Sequence, residues 1–138
     1  MADTLSKARR SENMRRIRST NTSPELIVRR MVHALGCRFT LHRKDLPGKP
    51  DLVLPRHRKV IFVHGCFWHQ HAKRQCIDSR VPKSNTGYWA PKLARNVIRD
   101  KQHLKALHAQ GWQCLTIWEC DLLKPEKVRL KLETFLAQ

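Results

Sequence analysis

An uninterrupted apolar run, Val60-Ile61-Phe62-Val63, ends in the string His64-Gly65-Cys66-Phe67-Trp68-His69-Gln70-His71. A strand that faces water on one side alternates polar and apolar residues, so this run predicts a central strand covered on both faces. The string beyond it concentrates thiols, imidazoles and large aromatic rings, a mixture that few purely structural segments need. The chain is therefore predicted to form an α/β domain with a site just past this strand.

The segments around this strand fit the same class. A helix is predicted to begin at Ser23-Pro24-Glu25, with Ser23 as its N-cap, and to end at Gly36. Its predicted buried stripe consists of Ile27, Val28, Met31, Val32 and Leu35. The other predicted elements are strands over 37–43, 51–54, 59–64 and 112–118, and helices over 89–110 and 125–136. This order predicts a small mixed central sheet flanked by helices.

The charge of the chain indicates a polyanionic partner. It carries 28 Lys and Arg against 11 Asp and Glu, a formal net charge of +17. Such a charge repels itself in a compact state, and nucleic acid is the first partner to consider, with a ribosomal-type or membrane-surface protein as the alternative. Residues 1–19 are strongly basic and predict a DNA-binding arm, and residues 20–138 predict a single domain.

The sequence also predicts the compartment. No run approaches the roughly 20 apolar residues of a membrane span, and the charged N-terminus lacks the apolar core of a signal peptide. We therefore expect a cytoplasmic protein with no membrane partner. Disulfides are disfavoured there, and the odd number of cysteines, five, argues against a disulfide framework.

Thiols close to histidines indicate a metal site. Three sulfurs and one nitrogen would form a closed tetrahedral site typical of structural zinc, and the available donors are Cys66, His71, Cys76 and Cys120. Buried free cysteines are the alternative for these positions. Cys37 and Cys114 lie in predicted strands and are expected in the core.

Three carboxylates are candidates for metal or acid–base chemistry. Asp51 stands at the mouth of a predicted strand, where metal-dependent phosphodiesterases place an acid because Mg²⁺ prefers oxygen ligands. Asp100 falls within the apolar stripe of the long helix, where a carboxylate is costly unless it is paired or bound to a metal. Glu25 either favours the first turn of its helix or points into a cleft. The alternative for Asp51 is an ordinary turn residue. The alternative for Asp100 is a partly exposed acid in an ion pair.

The histidines and aromatic residues of the string suggest two further roles. His64 or His69 could act as a general base, since imidazole titrates near neutral pH, or each could only hydrogen-bond locally. Phe67 and Trp68 could stack between bases or fold over the zinc site as a lid. No role is assigned to the remaining histidines in basic or surface-like contexts, which are His42, His57, His103 and His108.

Six segments together resemble the very-short-patch-repair (Vsr) DNA mismatch endonuclease family. They are Asn13-Met14-Arg15, Leu46 to Asp51, Lys59 to Val63, His64 to His69, Asn96 to Asp100, and Trp118-Glu119-Cys120. The resemblance implies a restriction-endonuclease-like α/β core with a structural zinc. It also implies a Mg²⁺-dependent nick 5′ to the thymine of a T:G mismatch, the product of 5-methylcytosine deamination.

The resemblance also implies a role for each matching residue. Asp51 would be the main Mg²⁺ ligand, helped by the main-chain carbonyl of Val63, and His69 would be the general base. The residues completing the catalytic shell would be Glu25, His64 and Asp100, and the zinc ligands would be Cys66, His71, Cys76 and Cys120. Phe67 and Trp68 would enter the duplex from the major groove and Met14 from the minor groove.

The implied partner is double-stranded DNA carrying a T:G mismatch, bound by a monomer, because a nick in one strand needs one active site. A cytosine-5 DNA methyltransferase and repair proteins would be its functional associates. Two alternatives stay open. A restriction-like nuclease of the same fold would cut matched DNA, and a non-catalytic zinc module would bind DNA without cutting it.

Overall fold

The computed structural model describes residues 22–66 and 86–138. Within them the elements follow one another as α1 (Ser23–Ala34), β1 (Thr40–Leu41), β2 (Leu52–Leu54), a 3-10 turn (Pro55–His57), β3 (Lys59–His64), α2 (Thr86–Ala109), β4 (Gln113–Trp118), a second 3-10 turn (Glu119–Leu123) and α3 (Pro125–Ala137). The predicted order of helices and strands is confirmed. None of the helices described is long and apolar enough to cross a membrane.

The four strands form one mixed sheet in the order β1-β2-β3-β4. β1 pairs antiparallel with β2, and β2 antiparallel with β3, whereas β3 and β4 run parallel from Lys59 opposite Gln113 to His64 opposite Trp118. A parallel pair needs a long crossover between its strands, and α2 lies in the connection between β3 and β4. The C-terminal ends of β3 and β4 therefore meet at the same edge of the sheet.

Helices cover both faces of this sheet. One face packs against α1 and α3, through a cluster of Val28, Val32, Leu52, Leu54, Ile61, Ile117, Val128, Leu132 and Phe135. The other face packs against α2, through a cluster of Leu46, Val53, Val60, Phe62, Leu107 and Trp112. Successive strand residues alternate between the two clusters, as side chains of a pleated strand must. The central, doubly covered strand predicted at residues 60–63 is confirmed.

The start of α1 differs from the prediction by one residue. Thr22, rather than Ser23, is the N-cap: its backbone is extended, and its Oγ1 accepts the Glu25 N–H at 3.4 Å. The cap satisfies one of the helix's unpaired N–H groups and places Glu25 in the first turn. Val28 and Val32 are buried as predicted, but Ile27 is 40% exposed, so the buried stripe of α1 is narrower than its apolar pattern suggests.

The first strand is also shorter than predicted. Extended pairing covers only Thr40–Leu41 instead of residues 37–43, because His42 adopts a left-handed backbone with φ 50° that ends the strand. The long helix begins at Thr86 rather than residue 89 and contains Pro91. The 3-10 turn after β4 was not predicted. It is closed by Asp121, whose Oδ2 accepts the Trp118 N–H at 2.9 Å.

A buried lysine ties the sheet to α3. Lys59 is 2% exposed, and its Nζ donates to the carbonyl oxygens of Phe135 at 2.5 Å and Gln138 at 2.8 Å. A buried ammonium is tolerated when acceptors surround it, and the carbonyl end of a helix favours positive charge. This contact fixes the last turn of α3 against the first residue of β3.

The turn before Asp51 packs directly on α2. Gly48 has φ +75°, and a Cβ added there would lie 2.9 Å from the Cβ of His103 and 3.0 Å from its ring. Only glycine combines this backbone conformation with so close an approach. The contact sets where the chain enters β2.

Gly48→Ala is expected to lower the free energy of unfolding by more than about 1 kcal/mol, because it adds both backbone strain and a clash with His103. Gly36→Ala is the matched control: Gly36 has φ +80°, but an added Cβ would meet nothing within 4 Å. Urea denaturation should show the larger loss for Gly48→Ala. Equal losses would mean that the contact with His103 does not constrain the turn.

Candidate metal and catalytic site

Asp51 lies at the start of β2, level with the end of β3. Its Oδ2 accepts a hydrogen bond from the Val63 main-chain N–H at 2.7 Å. This alignment follows from the antiparallel register of the two strands, in which Leu52 pairs with Ile61. The carboxylate, one residue before β2, is thus held by the backbone of β3.

Glu25 reaches the same place from α1. It is 1% exposed, although it stands in the first turn of a helix, where acids are usually solvated. Its Oε2 forms an ion pair with Arg29, one turn further along α1, and lies 2.8 Å from Nε2 of His42. Glu25 therefore points towards His42 and Arg29 rather than into solvent.

Glu25, His42 and Asp51 together form a group that could hold a metal ion, the one such group among the residues described. One carboxylate oxygen from each acid and one ring nitrogen of His42 all lie within 4.8 Å of one another. Carboxylate oxygens are the ligands that Mg²⁺ and Mn²⁺ prefer, and imidazole suits several transition metals. The predicted acids Glu25 and Asp51 are brought together.

The pKa values of the two carboxyl groups are shifted in opposite directions. Burial, together with the hydrogen bond and charge of Glu25, raises the pKa of Asp51 to about 7, although the Val63 N–H and the charge of Arg29 act to lower it. Burial also tends to raise the pKa of Glu25. Hydrogen bonds with His42 and Asp51 and the charges of His42 and Arg29 overcome that effect and lower it. Without a cation, a proton on Asp51 relieves the repulsion between the acids, so the pair fits a divalent ion.

His42 received no role from the sequence, yet it is part of this group. The signal for it lies in the pairing of β1 with β2. Leu41 pairs with Leu52, so the next residues, His42 and Asp51, face each other, and the His42 N–H donates to the Asp51 carbonyl oxygen at 3.3 Å. The sequence pattern of one strand does not specify this register, because the register depends on how the two strands pair in the tertiary structure.

His64 and Asp100 lie outside this three-residue group. His64 is 7% exposed at the end of β3, with its ring 5.4 Å from that of Phe62 and 5.2 Å from that of Trp118, measured between centroids. Asp100 is partly exposed on α2. The structure therefore places His64 in an aromatic setting at the strand end and Asp100 on the crossover helix.

Cys66 and Cys120 meet at the edge where β3 and β4 end. Each follows the paired residues His64 and Trp118 by two positions, and the Cys120 N–H donates to Cys66 Sγ at 3.4 Å. Cys66 is completely buried. N–H donation to sulfur is an arrangement that suits a thiolate ligand.

The two cysteines expected in the core are partly buried against it. Cys37 packs on the α1–α3 side of the sheet and Cys114 on the α2 side. Burial raises the pKa of Cys114 to about 11, so its thiol stays protonated at neutral pH. Metal ligation needs a thiolate, and the expectation that Cys114 belongs to the core is confirmed.

The other predicted site residues, together with the basic arm over 1–19, lie outside the described residues. They are Met14, Phe67, Trp68, His69, His71 and Cys76.

Comparisons with known proteins agree on one family. The model of the family described as DNA mismatch endonuclease Vsr matches residues 2–75. A type II nicking enzyme, V.XorIIP of Xanthomonas oryzae pv. oryzae, is 46% identical over 136 residues, covering 99% of this chain and 98% of that protein. The DNA mismatch endonuclease Vsr of Escherichia coli is 41% identical over 128 residues, covering 93% of this chain and 80% of that protein.

A solved structure shares the fold. The catalytic domain of the homing endonuclease I-Bth0305I superimposes with a TM-score of 0.60 at 22% sequence identity. The match covers 85% of this chain and 96% of that domain. At this identity the likeness supports the mixed α/β architecture alone.

Asp51→Asn is expected to stabilise the metal-free protein. The pKa of Asp51 is about 7 in the fold against 3.8 as its ordinary value, so its favourable contribution is complete below pH 3.8 and is lost as the pH rises through 7. An amide keeps an acceptor for the Val63 N–H and removes the charge. In EDTA, the melting temperature of Asp51→Asn should exceed that of the wild type by about 5 °C at pH 8, with a smaller difference at pH 5. A variant that melts below the wild type at pH 8 would contradict this electrostatic account.

Proposed function

The chain belongs to the DNA mismatch endonuclease Vsr family, and on that premise we propose that it nicks one strand of double-stranded DNA 5′ to the thymine of a T:G mismatch. It is a DNA endonuclease. The observation that carries the proposal is the pairing of buried Glu25 with half-buried Asp51 at the sheet edge, in a chain with a net charge of +17. The shared α/β architecture supports a restriction-endonuclease-like core.

We assign Mg²⁺ to this pair, with Asp51 as the main ligand and the main-chain carbonyl of Val63 beside it. The bond from the Val63 N–H to Asp51 supports that choice, because it holds the two residues together. A divalent cation supplies Lewis acidity to the scissile phosphate and the attacking water. Among the residues described, no other cluster offers two carboxylates at this spacing.

Proton transfer is assigned to side chains of the protein. His69 is assigned as the general base that takes a proton from water, and Glu25, His64 and Asp100 complete the catalytic shell. The burial of His64 between two aromatic rings supports an orienting role for it at the end of β3.

We assign structural zinc to Cys66, His71, Cys76 and Cys120. The contact between Cys66 and Cys120 supports it, because the two outermost donors in the sequence lie side by side in the fold. Three ligands from the stretch after β3 and one from the turn after β4 would fasten these two segments together.

Recognition of the mismatch is assigned to Phe67 and Trp68 in the major groove and Met14 in the minor groove. A T:G wobble pair unstacks more easily than a matched pair, so wedging favours mismatched sites. The basic arm over 1–19 would contribute phosphate contacts. We expect a cytoplasmic monomer whose functional associates are a cytosine-5 DNA methyltransferase and repair proteins.

The test uses labelled duplexes that carry one T:G pair in several cytosine-methylation contexts, with matched T:A controls, in Mg²⁺ and in EDTA. The wild type should make a single nick 5′ to the mismatched thymine in Mg²⁺ alone. Asp51→Asn should bind the duplex and lose at least about 10²-fold in turnover, because the main ligand is gone. Glu133→Gln, which alters an exposed carboxylate on α3, should cleave normally.

Two outcomes would replace this function. Cutting of the matched duplex would make the protein a restriction-like nuclease. Tight binding without cutting in any context would make it a zinc-dependent DNA-binding module.

Cys120→Ser is expected to lose zinc and to melt at a lower temperature, since structural zinc contributes directly to folding stability. Cys114→Ala is the matched control, because it removes a thiol at the second position of β4, where Cys114 packs against the cluster on the α2 side of the sheet. Metal analysis should find about one zinc per chain in the wild type and in Cys114→Ala. A full zinc complement in Cys120→Ser would remove Cys120 from the proposed ligand set.

A further inference from the structure

The geometry points to His42, together with Arg29, as a positioning residue that holds the Glu25 carboxylate against Asp51. This inference rests on the proposed function, because it assigns His42 a part in preparing the metal site. His42 would touch neither DNA nor the cation. It would act through Glu25.

The backbone of His42 is bound to the strand that carries the metal ligand. Its N–H donates to the carbonyl oxygen of Asp51 at 3.3 Å, which extends the β1–β2 pairing by one residue. His42 also has φ 50°, a left-handed conformation that few residues other than glycine adopt. Strained conformations of this kind persist where the surroundings hold them, often at functional sites. The conformation turns the chain back at the point where the ring meets Glu25.

The side chain of His42 completes a two-donor clamp. Its Nε2 lies 2.8 Å from Glu25 Oε2, and Arg29 binds the same oxygen from the next turn of α1. A glutamate side chain has three rotatable bonds, and two donors on one oxygen select one arrangement of them. Because one donor comes from α1 and the other from the end of β1, the carboxylate is fixed relative to both elements.

The same geometry argues against His42 as a metal ligand. The Arg29 Nη2 lies 3.4 Å from the His42 Nε2. A cation bound at that nitrogen would lie against a guanidinium that is charged at any ordinary pH. Asp51 and Glu25 supply the ligands, Glu25 through the carboxylate oxygen that does not pair with Arg29, and His42 orients Glu25, as partners behind a metal ligand commonly do.

Two substitutions of His42 distinguish the reach of its side chain from the effect of its backbone conformation. In His42→Asn the left-handed backbone is retained, since asparagine tolerates it, but the shorter side chain cannot reach Glu25. In His42→Gln the amide nitrogen reaches about as far as the Nε2 of histidine and can donate to the same oxygen. His108→Asn, at an exposed position near the end of α2, is the matched control.

The measurements are kcat and KM on a T:G duplex, Mn²⁺ affinity of the protein alone by electron paramagnetic resonance, and melting temperature in EDTA. His42→Asn should lower kcat and Mn²⁺ affinity by about 10-fold each with an unchanged KM for DNA. His42→Gln should recover most of both losses, and His108→Asn should match the wild type.

Three results would overturn the inference. His42→Asn could behave like the wild type in kcat and Mn²⁺ affinity. His42→Gln could be as impaired as His42→Asn, which would make the ring nitrogen itself a ligand. The losses could also follow a lower melting temperature and a raised KM, which would indicate a purely structural role. If the wild type bound Mn²⁺ but nicked no T:G duplex, the proposed function would fall, and the Mn²⁺ affinities would still decide the role of His42.

Discussion

The hydrogen bond from the Val63 N–H to Asp51 Oδ2 joins the end of β3 to the start of β2 and fixes the group on which the proposed cleavage depends. Two other elements converge on that carboxylate. The capped start of α1 brings Glu25, and the end of β1 brings His42. Each residue lies next to a paired strand or at a helix terminus, so regular secondary structure holds the site in place.

This arrangement has a cost in stability. Two carboxyl groups share a poorly solvated space. Arg29 and His42 bind Glu25, but the charge of Arg29 lowers the pKa of Asp51 only in part, and that pKa is about 7. A fold selected for stability alone would place an amide or an apolar side chain there. The negative charge of the two carboxylates would instead favour binding of a divalent cation, which would replace the proton on Asp51. The metal-free protein is therefore expected to lose stability as the pH rises through 7, the pKa of Asp51.

Much of this architecture could be predicted from sequence, for identifiable reasons. The apolar run before His64 predicted a doubly covered strand, and Asp51 at a strand mouth predicted the acid. Patterns within one segment, however, do not contain the register between segments. His42 was passed over for that reason, since only the pairing of β1 with β2 sets it opposite Asp51. The turn after β4, which brings Cys120 to Cys66, has no periodic pattern to predict it.

The most direct test of this account is anomalous diffraction from crystals of the protein bound to a T:G duplex and soaked in Mn²⁺. We expect an anomalous peak within coordination distance of carboxylate oxygens of both Asp51 and Glu25, with the His42 ring nitrogen still bound to Glu25 and outside the coordination shell. An anomalous peak elsewhere, with no Mn²⁺ at Asp51 and Glu25, would contradict the claim that these two acids are the metal site.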